Sequence, residues 1–193
     1  ELLRMQQGGC HPMDGCRDGD GFDGARFGFL AANVRWRHSG QTVFPAYGIR
    51  QFEDVRIAII GLTLEGTPGT VIASGVAGLQ FDDEAETVNR LVPQLRGRGI
   101  EAIVVVIHEG GLPTGGHDDC PSLSGPIVGI VAQLEDAVDL VISGHTHQAY
   151  NCALPNAAGR AVPVTSAASA GRLVPQVELA LDPPAARVET AAF

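Results

Sequence analysis

Lysine is absent from the chain: all thirteen of its basic residues are arginine, and 22 acidic residues give it a formal net charge of −9. The arginines form no basic stripe, so binding to a nucleic-acid polymer is not expected. Long hydrophobic runs are also lacking, and residues 103–107 are far too few to cross a bilayer. No signal peptide is seen at Glu1, so we expect a processed product or a form from which that peptide has been left out.

The composition is that of a folded globular domain. The chain has 193 residues, of which 45% are hydrophobic and 18% are charged, so it can bury a core of its own. Neither an internal repeat nor a linker divides it. We expect residues 1–28, rich in Gly and Asp, to form a disulfide-bearing loop region, and residues 29–193 to form the remainder of one domain.

Four cysteines indicate an oxidising compartment, either periplasmic or extracellular. Their even number and loop-like surroundings favour disulfides, with Cys10–Cys16 and Cys120–Cys152 as the preferred pairs. Four cysteines permit three pairings, and the sequence alone does not choose among them. A zinc site is less favoured, because neither pair has the two-residue spacing of a zinc knuckle.

The order of the predicted elements indicates an α/β fold. Strands are favoured where β-branched residues form continuous apolar runs, and helices where apolar residues recur every three or four positions. Alternation of the two types predicts parallel strands joined by helical crossovers, in a sheet buried on both faces. The predicted strands are residues 29–34, 55–62, 102–107, 138–143, 162–166 and 174–181; the predicted helices are residues 1–7, 82–98 and 125–134.

The helix predicted over residues 82–98 has the clearest signals. Asp82 or Asp83 can cap its first turn, and Gly97 can end it. Pro93 lies within the apolar stripe and is expected to kink the helix or to end its first half. The stripe itself consists of Val88, Leu91, Val92 and Leu95.

Three histidines follow two successive predicted strands. His108 comes directly after residues 102–107, while His145 and His147 belong to the Gly-His-Thr-His turn after residues 138–143. A single histidine at such a position is usually a hydrogen-bonded loop residue. Three at the same ends of neighbouring parallel strands would converge at one edge of the sheet, where ligands collect, and imidazole is a common metal ligand.

Several motifs together resemble the calcineurin-like metallophosphoesterases, and more narrowly their 5′-nucleotidase branch. The resemblance extends from about residue 29 to residue 181, with the motifs in the order found in that family. The matching segments are Ala-Ala-Asn-Val at 31–34, Ile-Gly-Leu-Thr at 60–63, Val-Ile-His ending at His108, Gly-His-Thr-His at 144–147, Thr-Ser-Ala at 165–167 and Gly-Arg-Leu at 171–173.

This resemblance implies that residues 29–193 are the C-terminal part of a metallophosphoesterase domain. The implied fold is a partial α/β sandwich with mixed sheets and flanking helices, and the implied cofactor is a pair of divalent metals. His108 and His145 match ligands of the second metal, and His147 matches a ligand of the first. Imidazole ligands suit Zn, Mn, Fe or Co. The implied activity is hydrolysis of nucleotide phosphomonoesters by a metal-activated water, as in 5′-nucleotidases.

Other motifs of that family are missing from the sequence. It contains no Asp-x-His and no Gly-Asn-His, and its one Gly-Asp-x-x-Asp, at residues 19–23, follows no strand. The resemblance therefore implies that the catalytic His and Asp, with the other ligands, lie upstream of Glu1, and that no catalytic residue lies in the chain. We expect a fragment that depends on N-terminal and C-terminal segments of the same protein, and that is inactive when isolated.

Other functions stay open. Within the family, the alternatives are a 2′,3′-cyclic-nucleotide phosphodiesterase/3′-nucleotidase or a UDP-sugar hydrolase; outside it, a non-catalytic metal- or ligand-binding module. Glu109 could orient an imidazole or point away from it. Arg172 could contact phosphate or pair with an acid.

Overall fold

A six-stranded sheet forms the centre of the structure. The structure is a computed structural model, and it describes residues 2–16, 19, 21–117, 120–183 and 187–192. The strands are β1 (Val34–Trp36), β2 (Tyr47–Phe52), β3 (Val55–Leu62), β4 (Leu79–Phe81), β5 (Ala102–Ile107), β6 (Leu140–Ile142), β7 (Ala149–Pro155), β8 (Ala161–Ala167), β9 (Glu178–Asp182) and β10 (Arg187–Ala192). The α-helices are α1 (Leu2–Gln7), α2 (Ala73–Val76), α3 (Glu84–Arg96) and α4 (Pro126–Val131), and two single 3₁₀ turns span Thr67–Gly69 and Cys120–Ser122.

The central sheet is mixed, with the order β2-β3-β5-β6-β8-β7. Its four inner strands, β3, β5, β6 and β8, are parallel, and the two outer strands pair with them in antiparallel fashion. The predicted α/β fold is confirmed. Because the inner strands are parallel, their carboxyl ends all reach the same edge of the sheet.

The two faces of this sheet are covered by different elements. On one face, Ile103, Val105 and Ile107 are buried in the main core beneath α3 and α4. On the other face, Ala102 and Val104 are covered by apolar side chains of the β9–β10 hairpin. Farther along the same strand, Val106 is 40% exposed. The second face is therefore closed over only part of its length.

Helix α3 confirms most of the predicted helix, and Pro93 does not end its first half. The Asp83 side chain caps the helix by accepting a hydrogen bond of 2.8 Å from the Glu86 amide. The helix then continues through Pro93 to Arg96. Proline removes one hydrogen bond within the helix, but the predicted apolar stripe is buried in the main core and outweighs that loss.

The strand predicted over residues 29–34 is largely wrong, since only Val34 belongs to a strand, β1. The preceding residues make single hydrogen bonds instead, from the Ala31 amide to the Pro45 carbonyl (3.0 Å) and from the Ala32 amide to the Gly61 carbonyl (2.7 Å). Leu30 lies so close to Gly61 that a β-carbon there would be 2.3 Å from its own. This segment is anchored to the sheet without joining it.

Several other boundaries differ from the prediction. Two antiparallel strands of the central sheet, β2 and β7, were not predicted, and neither were β4 and β10. Helix α4 ends at Val131, before the predicted end at residue 134. The strand predicted over residues 174–181 starts only at Glu178. Among the described residues, no helix is long and apolar enough to span a membrane.

Both preferred cysteine pairs lie at disulfide distance. The Cα atoms of Cys10 and Cys16 are 4.8 Å apart, and those of Cys120 and Cys152 are 5.3 Å apart, within the range of disulfide bridges. The second pair joins the 3₁₀ turn at Cys120–Ser122 to β7.

Candidate metal centre

The carboxyl edge of the sheet brings two of the predicted histidines into contact. His108 directly follows β5, and His145 lies in the turn after β6, the neighbouring parallel strand. The Nδ1 atom of His145 is 3.3 Å from the Nε2 atom of His108, and their rings meet edge to face with centroids 5.0 Å apart. Two imidazole nitrogens thus face each other at an exposed strand edge.

The spacing of these two nitrogens suits a shared metal ion. Two ligands at about 2.0–2.1 Å from one ion, at a tetrahedral angle, have nitrogen atoms about 3.3–3.4 Å apart. The observed 3.3 Å between His108 and His145 matches that value. The same spacing permits a hydrogen bond between the rings, so the pair fits a metal without requiring one.

His147 lies in the same turn but does not complete a three-ligand group. Among the described residues, the three imidazoles do not place their nitrogen atoms within 4.8 Å of one another. His145 and His147 both have positive φ, 65° and 58°, a conformation that non-glycine residues rarely adopt. The turn therefore holds both histidines, on either side of Thr146, in a left-handed backbone conformation.

Hydrogen bonds tie this turn to the loop that follows β5. The Thr146 hydroxyl donates to the Gly111 carbonyl (2.7 Å), and the Gly144 amide donates to the Glu109 carbonyl (3.1 Å). The two loops are so close that a β-carbon at Gly110 would lie 2.1 Å from the Gly144 carbonyl oxygen. Glycine at position 110 is thus required for the approach of His108 to His145.

The hydroxyl of Tyr150 links both loops from within the core. It accepts a hydrogen bond from the Gly111 amide (3.0 Å) and lies 2.7 Å from the Ser143 hydroxyl, which itself donates to the Thr165 carbonyl. Since Ser143 uses its proton on Thr165, the Tyr150 hydroxyl donates to Ser143. Nothing in the sequence pattern indicated Tyr150, which is almost fully buried on β7.

Electrostatics favour neutral imidazole at His108. Partial burial lowers its pKa, and the nearby His145 and His147 lower it further, whereas Glu109 acts in the opposite direction. Neutral imidazole is the form that binds metals. The carboxylate of Glu109 is buried and accepts a hydrogen bond of 2.8 Å from the Gly110 amide. Its shown contact is therefore with the loop backbone, whereas the predicted imidazole-orienting role stays a prediction.

A cavity of about 420 Å³ opens beside His108 on the incompletely covered face of the sheet. Its walls consist of apolar residues and glycines, apart from His108 and Ser143. The lining includes Leu30, Gly61, Val106, His108, Ile142 and Gly144. The candidate site therefore borders open space in which further groups can be accommodated.

An acidic cluster that sequence reasoning missed lies near the carboxyl end of β3. The carboxyl groups of Glu65, Asp83 and Glu84 come within 4.8 Å of one another. Glu84 is buried, which raises its pKa, and it accepts a hydrogen bond of 2.7 Å from the Glu65 amide. Residues from the loop after β3 and from the start of α3 form this cluster, and only the fold brings them together.

No protein-family model matches the chain. Among curated proteins, the chain is 30% identical over 151 residues to the endonuclease YhcR of Bacillus subtilis. The aligned region covers 78% of this chain and 12% of that protein. It is also 27% identical over 127 residues to a 5′-nucleotidase of Vibrio cholerae, and that aligned region covers 64% of this chain and 22% of that protein. The chain thus spans a small part of the length of these relatives.

Solved structures share its fold. A 5′-nucleotidase precursor from Thermus thermophilus superposes with a TM-score of 0.69 at 23% identity, over 87% of this chain and 33% of that one. The calcineurin-like phosphoesterase YfkN of Bacillus subtilis superposes with a TM-score of 0.57 at 21% identity, over 76% of this chain and 48% of that one.

Proposed function

Because this chain belongs to the calcineurin-like metallophosphoesterase superfamily, we propose that it forms part of a metal-dependent hydrolase of nucleotide phosphomonoesters. The observation that carries the proposal is the 3.3 Å between the ring nitrogens of His108 and His145, a spacing that suits two ligands of one ion. The similarity to a 5′-nucleotidase supports the choice of substrate.

His108 and His145 would hold one divalent ion, and His147 would contribute to a neighbouring one. This division agrees with the finding that, among the described residues, the three imidazoles do not form one group with all their ligand atoms within 4.8 Å of one another. When bound, such a pair of ions would supply positive charge to the attacking and leaving oxygens of the phosphate ester. Imidazole donors favour Zn, Mn, Fe or Co over Ca or Mg.

The chain's own residues would position these ligands. The loop of His108 is fixed to the turn of His145 through Thr146 and Tyr150, so the nitrogen spacing is set before an ion binds. Further ligands and the general acid would come from parts of the protein outside these 193 residues. The isolated chain is therefore expected to bind metal weakly and to release little phosphate.

A secreted or periplasmic location agrees with both cysteine pairs lying at disulfide distance, since such bonds persist in oxidising compartments. The pair Cys120–Cys152 would close a segment that contains His145 and His147. Mass spectrometry of protein purified without reductant, before and after reduction, would test both bridges. Free thiols at these positions would contradict the proposed location.

The test is phosphate release from AMP by the full-length protein, with and without a chelator. His108→Ala and His145→Ala should each lower kcat/KM by at least about a hundredfold, since loss of a group that merely supports a ligand already costs 10–100-fold. His38→Ala, an exposed histidine in the turn after β1, is the matched control and should leave activity unchanged. Chelator-insensitive turnover, or full activity in His108→Ala, would refute the proposal.

A second candidate is hydrolysis of phosphodiesters, favoured by the 30% identity to a protein named an endonuclease. The same metal chemistry can cleave either ester. Parallel assays with AMP, 2′,3′-cyclic AMP, UDP-glucose and single-stranded DNA would separate these activities. Stoichiometric metal without turnover of any of the four would instead indicate a non-catalytic binding module.

A further inference from the structure

Backbone strain in this chain is concentrated at the carboxyl edge of the sheet. Among the described residues, five non-glycine positions have positive φ, and four of them lie in the loops that follow β6 and β8. His145 and His147 belong to the first loop, and Ala168 (59°) and Ala170 (61°) to the second. Such conformations are unfavourable for residues with a β-carbon and cluster at functional sites.

The two strained loops lie next to each other and are joined by hydrogen bonds. Strands β6 and β8 are parallel neighbours, so their following loops leave the sheet side by side. The carbonyl of Gln148, the residue after His147, accepts a hydrogen bond from the Ala168 amide (3.0 Å) and another from the Ser166 hydroxyl (2.7 Å). The turn at residues 168–172 is thus held against the histidine turn.

Arg172 lies at the end of this second turn and places a positive charge at that edge. Four segments follow the inner parallel strands, residues 63–78, 108–125, 143–148 and 168–177, and Arg172 is the one arginine among them in a chain that has no lysine. The residue is exposed. Within the described part of the chain its guanidinium has no hydrogen-bond or ion-pair partner, whereas the guanidinium of Arg160 is paired with Asp136.

We propose that the turn at residues 168–172 is an anion subsite beside the histidines, and that Arg172 binds the phosphate group of the substrate there. This inference rests on the proposed function, which requires a phosphate at this edge. The planar guanidinium of an arginine can bind two phosphate oxygens at once. The strained backbone of the turn fixes the position of the Arg172 Cα atom, from which that side chain extends. The unpaired guanidinium has no competing acid in its own segment, since residues 168–177 contain no Asp or Glu.

The test compares Arg172→Gln with Arg172→Lys in the full-length protein. Arg172→Gln should weaken the binding of inorganic phosphate, measured by calorimetry, by roughly ten- to a hundredfold, and should raise KM for AMP by a similar factor. The metal content and kcat should change by less than about threefold. Arg172→Lys should restore part of the phosphate affinity, because it keeps the charge and loses the planar fork.

Arg26→Gln is the matched control. Arg26 is also exposed and without a side-chain partner among the described residues, and it lies two residues before Gly28, which lines the cavity beside His108. It should leave phosphate binding unchanged. The inference is overturned if Arg172→Gln binds phosphate within twofold of the parent, if the parent does not bind phosphate, or if Arg26→Gln has the larger effect.

The two proposals fail in distinguishable ways. Phosphate binding that depends on Arg172, without turnover of AMP, would retain the anion subsite and contradict the nucleotidase. Turnover of AMP that is unaffected by Arg172→Gln would retain the hydrolase and overturn the subsite.

Discussion

The two faces of the central sheet differ in how completely they are covered, and one strand shows the contrast. In β5, Ile103 and Val105 are 0% and 1% exposed beneath the helices, while Val106 on the other face is 40% exposed. The helical face therefore supplies the stabilising core. The other face is closed by β9 and β10 at one end and open at the other, beside the histidines.

The largest effect should come from breaking the covered face. Ile103→Ala should lower the free energy of unfolding by about 2–5 kcal/mol, because it leaves a cavity in the main core. Urea unfolding measures the change. Val106→Ala, in the same strand, is the control and should cost less than about 1 kcal/mol, since much of that side chain is already in water. Equal losses in the two variants would contradict the difference between the faces.

Gly110 tests how tightly the carboxyl edge is built. Gly110→Ala would bring a β-carbon to 2.1 Å from the Gly144 carbonyl oxygen, so the two histidine loops must move apart. We expect a loss of about 2–3 kcal/mol in stability, in the range of overpacked sites, with weaker Zn²⁺ binding measured by calorimetry. A matched change, Gly129→Ala, meets open space in α4 and should raise stability by about 0.5–1 kcal/mol. Unaltered metal affinity in Gly110→Ala would show that the loop spacing is not set here.

Tyr150 connects the covered face with the histidine edge, because its ring is in the main core and its hydroxyl holds both loops. Tyr150→Phe keeps the ring and leaves the Gly111 amide without its acceptor. The expected cost is about 1–2 kcal/mol in urea unfolding, with a fall in Zn²⁺ affinity. Tyr47→Phe removes a hydroxyl bonded to Arg98 at the surface and should leave Zn²⁺ affinity unchanged. The same loss of affinity in both variants would rule out a specific role for Tyr150.

At the opposite, amino-terminal edge of the sheet, Asp139 should make the stability of the fold depend on pH. Burial raises its pKa to about 6, although its carboxylate accepts a hydrogen bond from the Ile103 amide. The folded state therefore holds a proton that the unfolded state has released, and stability should fall as pH rises from about 4 to 6. Asp139→Asn should remove this fall and be more stable than the parent by about 1 kcal/mol at pH 7. A stability difference that stays constant from pH 4 to pH 7.5 would contradict the assignment.

The inner strands were predictable because their burial on both faces leaves a direct sequence signal. Strands β3 and β5 have the predicted bounds, since β5 is an unbroken apolar run and the β-branched run of β3 is interrupted by a charge only at Arg56. The outer strand β2 was missed because it is mostly half-buried or exposed and is defined by its antiparallel pairing with β3. Residues 29–33 were wrongly predicted as a strand because most of them are apolar. They pack against the sheet and make single hydrogen bonds to it, without forming a strand ladder.

For the candidate site, the sequence predicted that the histidines lie at one edge of the sheet, and the fold determines the distance between their ring nitrogens. His108 and His145 were expected to be near each other because successive parallel strands end at one edge. Their separation of 3.3 Å depends on the close approach at Gly110 and on the Tyr150 hydroxyl, contacts between segments about 35 and 39 residues apart that no local pattern encodes. The metal-ligand roles of the three histidines stay predictions until an ion is measured.

The positive φ of Ala168 and Ala170 has a consequence for engineering. Ala170→Gly would relieve an unfavourable backbone conformation and could raise thermal tolerance, but it would also give the turn before Arg172 more conformations to lose on binding. If this turn is the anion subsite proposed above, alanine at these positions limits the conformations that the turn must lose on binding, at a cost in stability. A consensus-driven stabilisation of this chain should therefore leave that turn unchanged.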